Sequence, residues 1–262
     1  MASNSTVKKT LLVAILIGIG ATLFVYVAGI AYVRSQNLRA VSRAQRLAVS
    51  IQKLRVGRSD YRAAQAIAAD FGAVPYENCF GGRDCRDGYF EGCTYVIPAN
   101  DNWSNRLLSK HPFLRRLGLR EWAGTALIYI GNGLVQEYSF SIAYWSRSGT
   151  WRGFGAEEGK SIPTDRAVQA LISGAYSIER NDILMGGQPG GLGFELQSSL
   201  TPASTPGEQK HAWHFEFGCL AERDGCGEIC EVMPDVWHDF YNIRGHFDVE
   251  KYGPAYMFCT KH

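Results

Sequence analysis

Residues 11–33 lack any charged residue, side-chain amide or proline. This absence excludes an ordinary surface helix, which keeps charged or polar residues on its solvent side. As a helix rising about 1.5 Å per residue, the run is long enough to cross the roughly 30 Å hydrocarbon layer of a bilayer. The sequence therefore predicts one transmembrane helix over residues 11–33, after a short N-terminal tail of residues 1–10.

A cleaved signal peptide is the alternative interpretation of this run. Lys8 and Lys9 precede the apolar residues, and Gly29-Ile30-Ala31 supplies small residues near a cleavage position. The apolar stretch of a signal peptide usually spans only about 7 to 15 residues. We therefore favour a helix that stays on the protein as a single-pass anchor.

Acidic residues are absent from residues 34–59, which carry seven lysines and arginines. Removing the nine basic residues of positions 1–59 from the chain's 27 leaves 18 basic against 25 acidic residues, a balance of −7. Basic residues beside a membrane helix attract anionic lipid headgroups. The predicted lipid contacts are Arg34, Arg39, Arg43 and Arg46. A solvated helix whose charge complements the acidic remainder of the chain is the alternative.

Two rules disagree on the side of the membrane where the remainder lies. Two basic residues precede the apolar run and five follow it within about 20 residues, which predicts a cytoplasmic domain. The cysteines fall into two clusters and a tail residue, a pattern typical of disulfides in an oxidising compartment. We therefore predict an extracytoplasmic domain with reduced cysteines or a metal site as alternatives; the cysteines are Cys79, Cys85, Cys93, Cys219, Cys226, Cys230 and Cys259.

Apolar spacing after the anchor predicts a basic helical stalk over residues 34–75. Leu38 to Leu54 repeats apolar residues every three or four positions, so the first helix should continue until Gly57. Ser59 is a candidate cap for a second helix from Asp60 to about Phe71. A globular domain over residues 76–262 should follow this helical hairpin.

Strand patterns dominate the predicted globular domain. Two runs, Thr125 to Ile130 and Leu134 to Trp145, flank Gly131-Asn132-Gly133, in which Asn-Gly favours a tight hairpin turn. A second hairpin is predicted between Gly193 to Leu200 and Ala212 to Leu220. Further strands are predicted at Cys93 to Ile97 and Ala255 to Cys259, and helices at Trp103 to Leu108, Asp165 to Ser173 and Ile229 to Phe240. The predicted fold class is α+β, with a curved, mostly antiparallel sheet and helices on one face.

Motifs for nucleotide or nucleic-acid chemistry are absent. The glycine-rich run from Gly186 to Gly193 lacks the strand and helix context of a dinucleotide loop and the lysine of a phosphate loop. The acidic remainder of the chain argues against nucleic acid. We therefore expect no cofactor, and the glycine-rich run is interpreted as a flexible connection.

Cysteines and histidines supply the remaining candidates. Only Cys226 and Cys230 have the short spacing of zinc ligands, with His211 and His214 nearby. The alternative, which we prefer to a metal site, is a disulfide that pins this loop, with Cys226 and Cys230 bonded together or to distant partners. His214, His238 and His246 are candidate bases for a thiol enzyme or hydrolase, but no orienting group is identifiable from the sequence.

Three segments resemble a group of uncharacterised bacterial single-pass membrane proteins. They are Leu54-Arg55-Val56-Gly57, Leu117-Gly118-Leu119-Arg120-Glu121-Trp122 and the stretch from Gly225-Cys226 to Met233-Pro234-Asp235-Val236-Trp237. The resemblance implies an anchored bacterial domain and transfers no activity. The resulting hypothesis is a membrane-tethered binding or cell-envelope interaction domain, with an anchored hydrolase or thiol enzyme as the alternative.

Overall fold

The computed structural model describes residues 3–73, 75–76, 91–100, 103–117, 119–145, 151–160, 168–173, 193–201, 204–222 and 224–238. The α-helices are α1 (Ser3–Ile51), α2 (Tyr61–Asp70), α3 (Trp103–Lys110) and α4 (Pro206–Ala212), and residues 234–238 are also helical. Short 3₁₀ helices cover Pro112–Leu117, Gly218–Ala221 and Ile229–Glu231. The strands are β1 (Pro75–Tyr76), β2 (Glu91–Pro98), β3 (Trp122–Gly131), β4 (Leu134–Trp145), β5 (Trp151–Gly159), β6 (Val168–Ser173) and β7 (Gly193–Leu200).

Helix α1 has two halves with different surroundings. Residues 11–28 are exposed on every side, and α1 is long and apolar enough near the N-terminus to cross a membrane. From Val33 onward one stripe is buried, with positions spaced by three or four residues; it comprises Val33, Asn37, Val41, Ala44, Leu47, Ala48 and Ile51. The predicted stripe is confirmed from Val41 onward, but Leu38 is exposed and the helix ends at Ile51 rather than continuing to Gly57.

Helix α2 begins with a different cap from the predicted one. The Asp60 side chain accepts a hydrogen bond from the backbone N–H of Ala63 at 3.0 Å, while the Ser59 hydroxyl accepts one from the N–H of Arg55. The prediction of Ser59 as cap was wrong because its hydroxyl serves the preceding turn. Ala64, Ala68 and Phe71 are buried on the predicted face.

The sheet has seven strands in the order β1-β2-β3-β4-β5-β7-β6. All neighbours are antiparallel except β5 and β7, which are parallel. The predicted hairpin is confirmed: Asn132 and Gly133 connect β3 to β4 with φ angles of 52° and 73°. The chain is therefore an α+β protein with a long N-terminal helix and a mostly antiparallel sheet.

Two secondary-structure predictions were wrong. Residues 168–173 form strand β6 instead of a helix, because they pair along their length with β7. The segment from Ala212 to Leu220 is not the partner of β7, which lies between β5 and β6 instead. The predicted connecting loop contains helix α4, capped by Thr205 and Glu208. The predicted strand Ala255 to Cys259 and the glycine-rich residues 186–192 lie outside the described residues.

The aromatic side chains after α4 are nevertheless part of the core. Trp213 and Phe217 are buried and Phe215 is half-buried, although the backbone here is not part of the sheet. The Phe215 ring lies 5.5 Å from that of Phe140, measured between centroids, and 5.8 Å from that of Phe154. This segment thus covers the inner faces of β4 and β5.

One hydrophobic cluster joins the helices to the sheet. It contains α1 residues from Val41 onward, Ala64 and Ala68 of α2, and inward-facing residues of β2 to β5. The division into a stalk of residues 34–75 and a domain of residues 76–262 stays a prediction. In packing terms, the second half of α1 is a core element of the folded part.

Four cysteines are among the described residues, and all are oxidised. Cys219 and Cys226 bond to each other, with Cα atoms 4.8 Å apart, so the predicted alternative of a Cys226–Cys230 bond is not formed. Cys93 and Cys230 are also disulfide-bonded. Within these described residues no cysteine is free. Cys79, Cys85 and Cys259 lie outside the described residues.

Candidate binding cleft

A cleft of about 630 Å³ opens where the end of α1 meets the inner face of β4 and β5. Its walls come from the turn after α1, from α4, and from the aromatic segment that follows α4. Most lining side chains are polar or charged; the lining residues are Gln52, Arg55, Tyr138, Glu158, Pro206, Gln209, Lys210, Trp213, His214 and Asp235. A cleft of this size and polarity suits a small polar ligand.

Tyr138 and Glu158 form the base of the cleft. They are directly opposite each other in the β4–β5 register, and both are almost fully buried. The Tyr138 hydroxyl donates a hydrogen bond to Glu158 Oε2 at 2.5 Å. Burial, and after it the hydrogen bond and negative charge of Glu158, raise the pKa of the Tyr138 phenol far above its ordinary value of 10.0. The phenol is therefore a hydrogen-bond donor at every physiological pH.

His214 and Asp235 form a second polar pair at the rim. His214 Nδ1 lies 2.9 Å from Asp235 Oδ2, and Nε2 lies 3.8 Å from Glu216 Oε1. The pairing follows from the backbone, because the Glu216 N–H donates to the Val232 carbonyl and holds the two segments together. About half of the His214 side chain is exposed, so Nε2 faces both solvent and a neighbouring carboxylate.

The carboxylates and the cations of the cleft differ in whether they have a partner in the protein. Both lining carboxylates have a polar partner, Glu158 in Tyr138 and Asp235 in His214. Among the residues that the structure describes, Arg55 and Lys210 take part in no ion pair. The two carboxylates of the cleft balance these cations in formal charge, but the Arg55 and Lys210 side chains keep their hydrogen-bond donors available for an acid group of a ligand.

The zinc hypothesis is not supported by the observed geometry. Cys226 is bonded to Cys219, and Cys230 is also in a disulfide, so neither offers a thiolate. The described part of the chain contains no group of three or more His, Cys, Asp or Glu residues that is suited to a metal ion. His211 belongs to α4.

Of the two candidate histidines that the structure describes, His214 lines the cleft. His238 lies in the helical residues 234–238 and does not line it, and His246 is outside the described residues. Sequence reasoning missed Tyr138, Glu158 and the His214–Asp235 pair. An inward-facing glutamate on a strand was the one available sign, since a buried charge normally has a dedicated partner.

Comparison with known proteins gives no relative from which a role can be transferred. The chain matches no family model, no curated protein and no solved structure.

Proposed function

We propose that this protein is a membrane-anchored, extracytoplasmic binding domain of the bacterial cell envelope, and that its cleft binds a small anionic ligand. The observation that carries the ligand class is the presence of Arg55 and Lys210 beside two carboxylates that already have partners. An acid group of the ligand would accept charge-assisted hydrogen bonds from Arg55 and Lys210, which make no ion pair among the described residues. The Tyr138 and Trp213 side chains add apolar surface to the same cleft.

Anchoring in a membrane is supported by the exposed apolar residues 11–28 of α1. A helix that exposes Leu, Ile, Val and Phe on every side is stable only where lipid replaces water. The exposed fractions of Phe24, Val25 and Ile17 are 74%, 69% and 67%. The bilayer is therefore the proposed partner of residues 11–33, with the exposed Arg34, Arg39 and Arg46 and the half-buried Arg43 after it.

An extracytoplasmic location is supported by the oxidised cysteines. Disulfides persist in the periplasm or outside the cell and are rare in the cytosol. We give more weight to the four described cysteines in disulfides than to the count of basic residues near the anchor. The translocation of a long domain depends only weakly on such charges.

Binding is tested with the full chain in nanodiscs, titrated calorimetrically with glucuronate and inorganic phosphate as anionic probes and with glucose as the neutral probe. We expect binding of at least one anion and none of glucose. The double variant Arg55→Gln/Lys210→Gln should weaken that binding by about tenfold or more, since a charge-assisted hydrogen bond contributes about 1.5 to 3 kcal/mol.

The matched control removes the same charge outside the cleft. Lys53 and Arg58 are exposed and do not line it, so Lys53→Gln/Arg58→Gln should bind as the unaltered protein does. Equal losses in both double variants, or no binding of either anion, would contradict the proposed ligand class.

A hydrolase is the second candidate, and the His214–Asp235 pair favours it. A carboxylate that orients an imidazole is one half of a general-base arrangement, in which Nε2 takes a proton from water. Among the described residues that line the cleft there is no serine, threonine or cysteine, and the described cysteines are oxidised, so a thiol mechanism has no support from them. If the hydrolase is real, purified protein cleaves p-nitrophenyl acetate or phosphate, and His214→Asn and Asp235→Asn each remove most of that activity.

A further inference from the structure

Residues 103–117 form a basic surface segment within an otherwise acidic part of the chain. They contain Arg106, Lys110, Arg115 and Arg116 but no aspartate or glutamate. The segment folds as α3 and the 3₁₀ helix Pro112–Leu117, which follow each other almost without a break. Arg115 forms an ion pair with Glu121 at 2.7 Å, so the lipid contact is argued from the exposed Arg106 and Lys110.

This segment packs on α1 where the apolar half of that helix ends. Val33, Leu108 and Leu119 form a small buried cluster of their own, and the partly buried Leu107 and Leu114 pack against it. The cluster is separate from the main core, so it serves to hold α3 and the 3₁₀ helix at this level of α1.

The position of the cluster corresponds to the bilayer surface. The exposed residues 11–28 form about 27 Å of helix. A hydrocarbon layer of roughly 30 Å requires slightly more, about 20 residues. The span must then reach about residue 30, one turn before Val33. No spacer separates the folded part from the lipid, and the segment lies at the depth of the headgroups.

The exposed side chains of the segment match that environment. Arg106, Lys110 and His111 are exposed, and 61% of the Phe113 side chain is exposed. Outside α1, the large hydrophobic side chains exposed among the described residues are Phe113, Leu127 and Tyr129, and Phe113 is the most exposed of the three. An aromatic side chain among basic residues is typical of surfaces that bind the membrane interface.

We infer that α3 and the 3₁₀ helix Pro112–Leu117 form a second membrane contact, in which Phe113 enters the interface and Arg106 and Lys110 bind anionic phospholipid headgroups. The inference rests on the proposed anchoring of α1 and goes beyond it. Two contacts, one through the apolar part of α1 and one through the segment that packs on Val33, fix the tilt of the folded part relative to the bilayer. The stalk arginines alone would leave it free to pivot.

The inference is tested by photo-crosslinking in the full chain. Benzoylphenylalanine is placed at Phe113, at Phe24 in the apolar half of α1, or at Tyr129 on the open face of β3. Each protein is reconstituted into nanodiscs of phosphatidylcholine with phosphatidylglycerol, irradiated, and analysed for lipid adducts by intact mass spectrometry. We expect lipid adducts at positions 24 and 113 and none at position 129. The native Tyr129 side chain is 41% exposed, but this part of β3 is distant from Val33.

Charge-reversed variants test the headgroup contact. Arg106→Glu/Lys110→Glu should lower the adduct yield at position 113 by about fivefold or more in anionic nanodiscs. Lys53→Glu/Arg58→Glu, with the same charge change at the other end of the folded part, should leave the yield unchanged. Nanodiscs of phosphatidylcholine alone should give a lower yield than mixed ones.

The outcomes separate the two claims. Adducts at position 24 without adducts at position 113 overturn the second contact and leave the anchor intact. Absence of adducts at position 24 overturns the anchor and the inference with it. If the adduct yield at position 113 changes neither with lipid charge nor with the Arg106→Glu/Lys110→Glu reversal, the proposed contact with anionic headgroups is overturned.

Discussion

Two buried residues with formal charge lie on the inner face of β5, and each has a partner from another part of the chain. Glu158 accepts from Tyr138 on β4, and Arg152 Nε lies 3.0 Å from Glu228 Oε2 in the segment after the Cys219–Cys226 loop. Only 3% of Arg152 and 6% of Glu158 is exposed. Since an unpaired buried charge is strongly unfavourable, these pairs specify which segments pack on β5.

Removing the Tyr138 hydroxyl should destabilise the protein in a pH-dependent way. At neutral pH, Tyr138→Phe leaves the buried Glu158 without its donor, so we expect a loss of about 1 to 3 kcal/mol in the free energy of unfolding. The folded-state pKa of Tyr138 is raised above the unfolded value near 10.0, so its contribution is fully present below about pH 10 and is lost as pH rises. The difference between the two proteins should therefore shrink above pH 10.

Urea unfolding between pH 7 and pH 11 measures this difference. Tyr129→Phe is the matched control, because 41% of that side chain is exposed on the open sheet face and its removal should leave stability near that of the unaltered protein. A Tyr138→Phe effect that stays constant up to pH 11 would argue against the hydrogen bond as its cause.

At the scale of elements, the β3–β4 hairpin shows what local sequence can predict. Asn132 and Gly133 both adopt positive φ angles, which L side chains other than Asn and Asp rarely do. The burial of Tyr138, Phe140, Ile142 and Tyr144 follows from their alternation along β4. Both features depend on neighbouring residues alone, and for that reason both were predictable.

Gly133→Ala should weaken this hairpin. The φ angle of 73° places a Cβ in the left-handed region, at a cost of about 1 to 2 kcal/mol. Gly218→Ala is the control, because its φ angle is not positive and no atom lies within 4 Å of the added Cβ. Thermal unfolding of both variants measures this effect. We expect a clear decrease in the melting temperature for Gly133→Ala and none for Gly218→Ala.

Pairing between distant segments was not predictable in the same way. Residues 168–173 combine Gln, Ala and Leu, which favour helices, yet they form an edge strand because β7 supplies hydrogen bonds along their whole length. The aromatic segment showed a different error. It was predicted as the partner strand of Gly193 to Leu200, but the N–H of Glu216 pairs with the Val232 carbonyl instead of a strand.

The cleft could not be predicted because its residues come from five separate parts of the chain. Arg55 follows α1, Tyr138 and Glu158 meet through the β4–β5 register, and Asp235 reaches His214 across the disulfide-bonded loop. Each residue alone looks like an ordinary surface or strand position. Their proximity depends on a register and a crossing that no short pattern in the sequence encodes.

The Cys219–Cys226 bond closes a short loop, with a sequence separation of 7, between the aromatic segment and the segment that supplies Glu228. Because a cross-link reduces the entropy of the unfolded chain, Cys219→Ser/Cys226→Ser should lose about 2 to 3 kcal/mol in unfolding free energy. Urea unfolding without reductant measures this loss. An unchanged midpoint would mean that the Arg152–Glu228 pair and the core hold this segment without the bond.

For the molecule as a whole, α1 is at once the candidate anchor and a core element. Val33 lies beside α3 and the Pro112–Leu117 helix, while Gln52 lines the cleft. The two positions are 19 residues apart in sequence, which corresponds to about 28 Å of helix or turn. Because Val41 to Ile51 belong to the main hydrophobic cluster, no flexible joint separates anchor and sheet. The cleft is therefore expected to face away from the bilayer, at a fixed height.

The oxidation state of the cysteines in the cell tests on which side of the membrane the folded part lies. Protein is extracted from membranes without reductant, free thiols are alkylated, and peptides carrying Cys93, Cys219, Cys226 and Cys230 are analysed by mass spectrometry. We expect no alkylation of these four residues until a reductant is added, because an oxidising compartment forms the bonds seen in the structure.

Full alkylation before reduction would place the folded part in a reducing compartment, as the five basic residues after the anchor predict. The cleft would then face cytosolic anions, and the loop around Glu228 would be held by its ion pair with Arg152 and by core packing, without the disulfide. The crosslinks expected at Phe113 would persist in that case, since packing of Leu108 and Leu119 on Val33 does not depend on the side of the membrane. The two experiments together therefore separate topology from the manner in which the folded part contacts lipid.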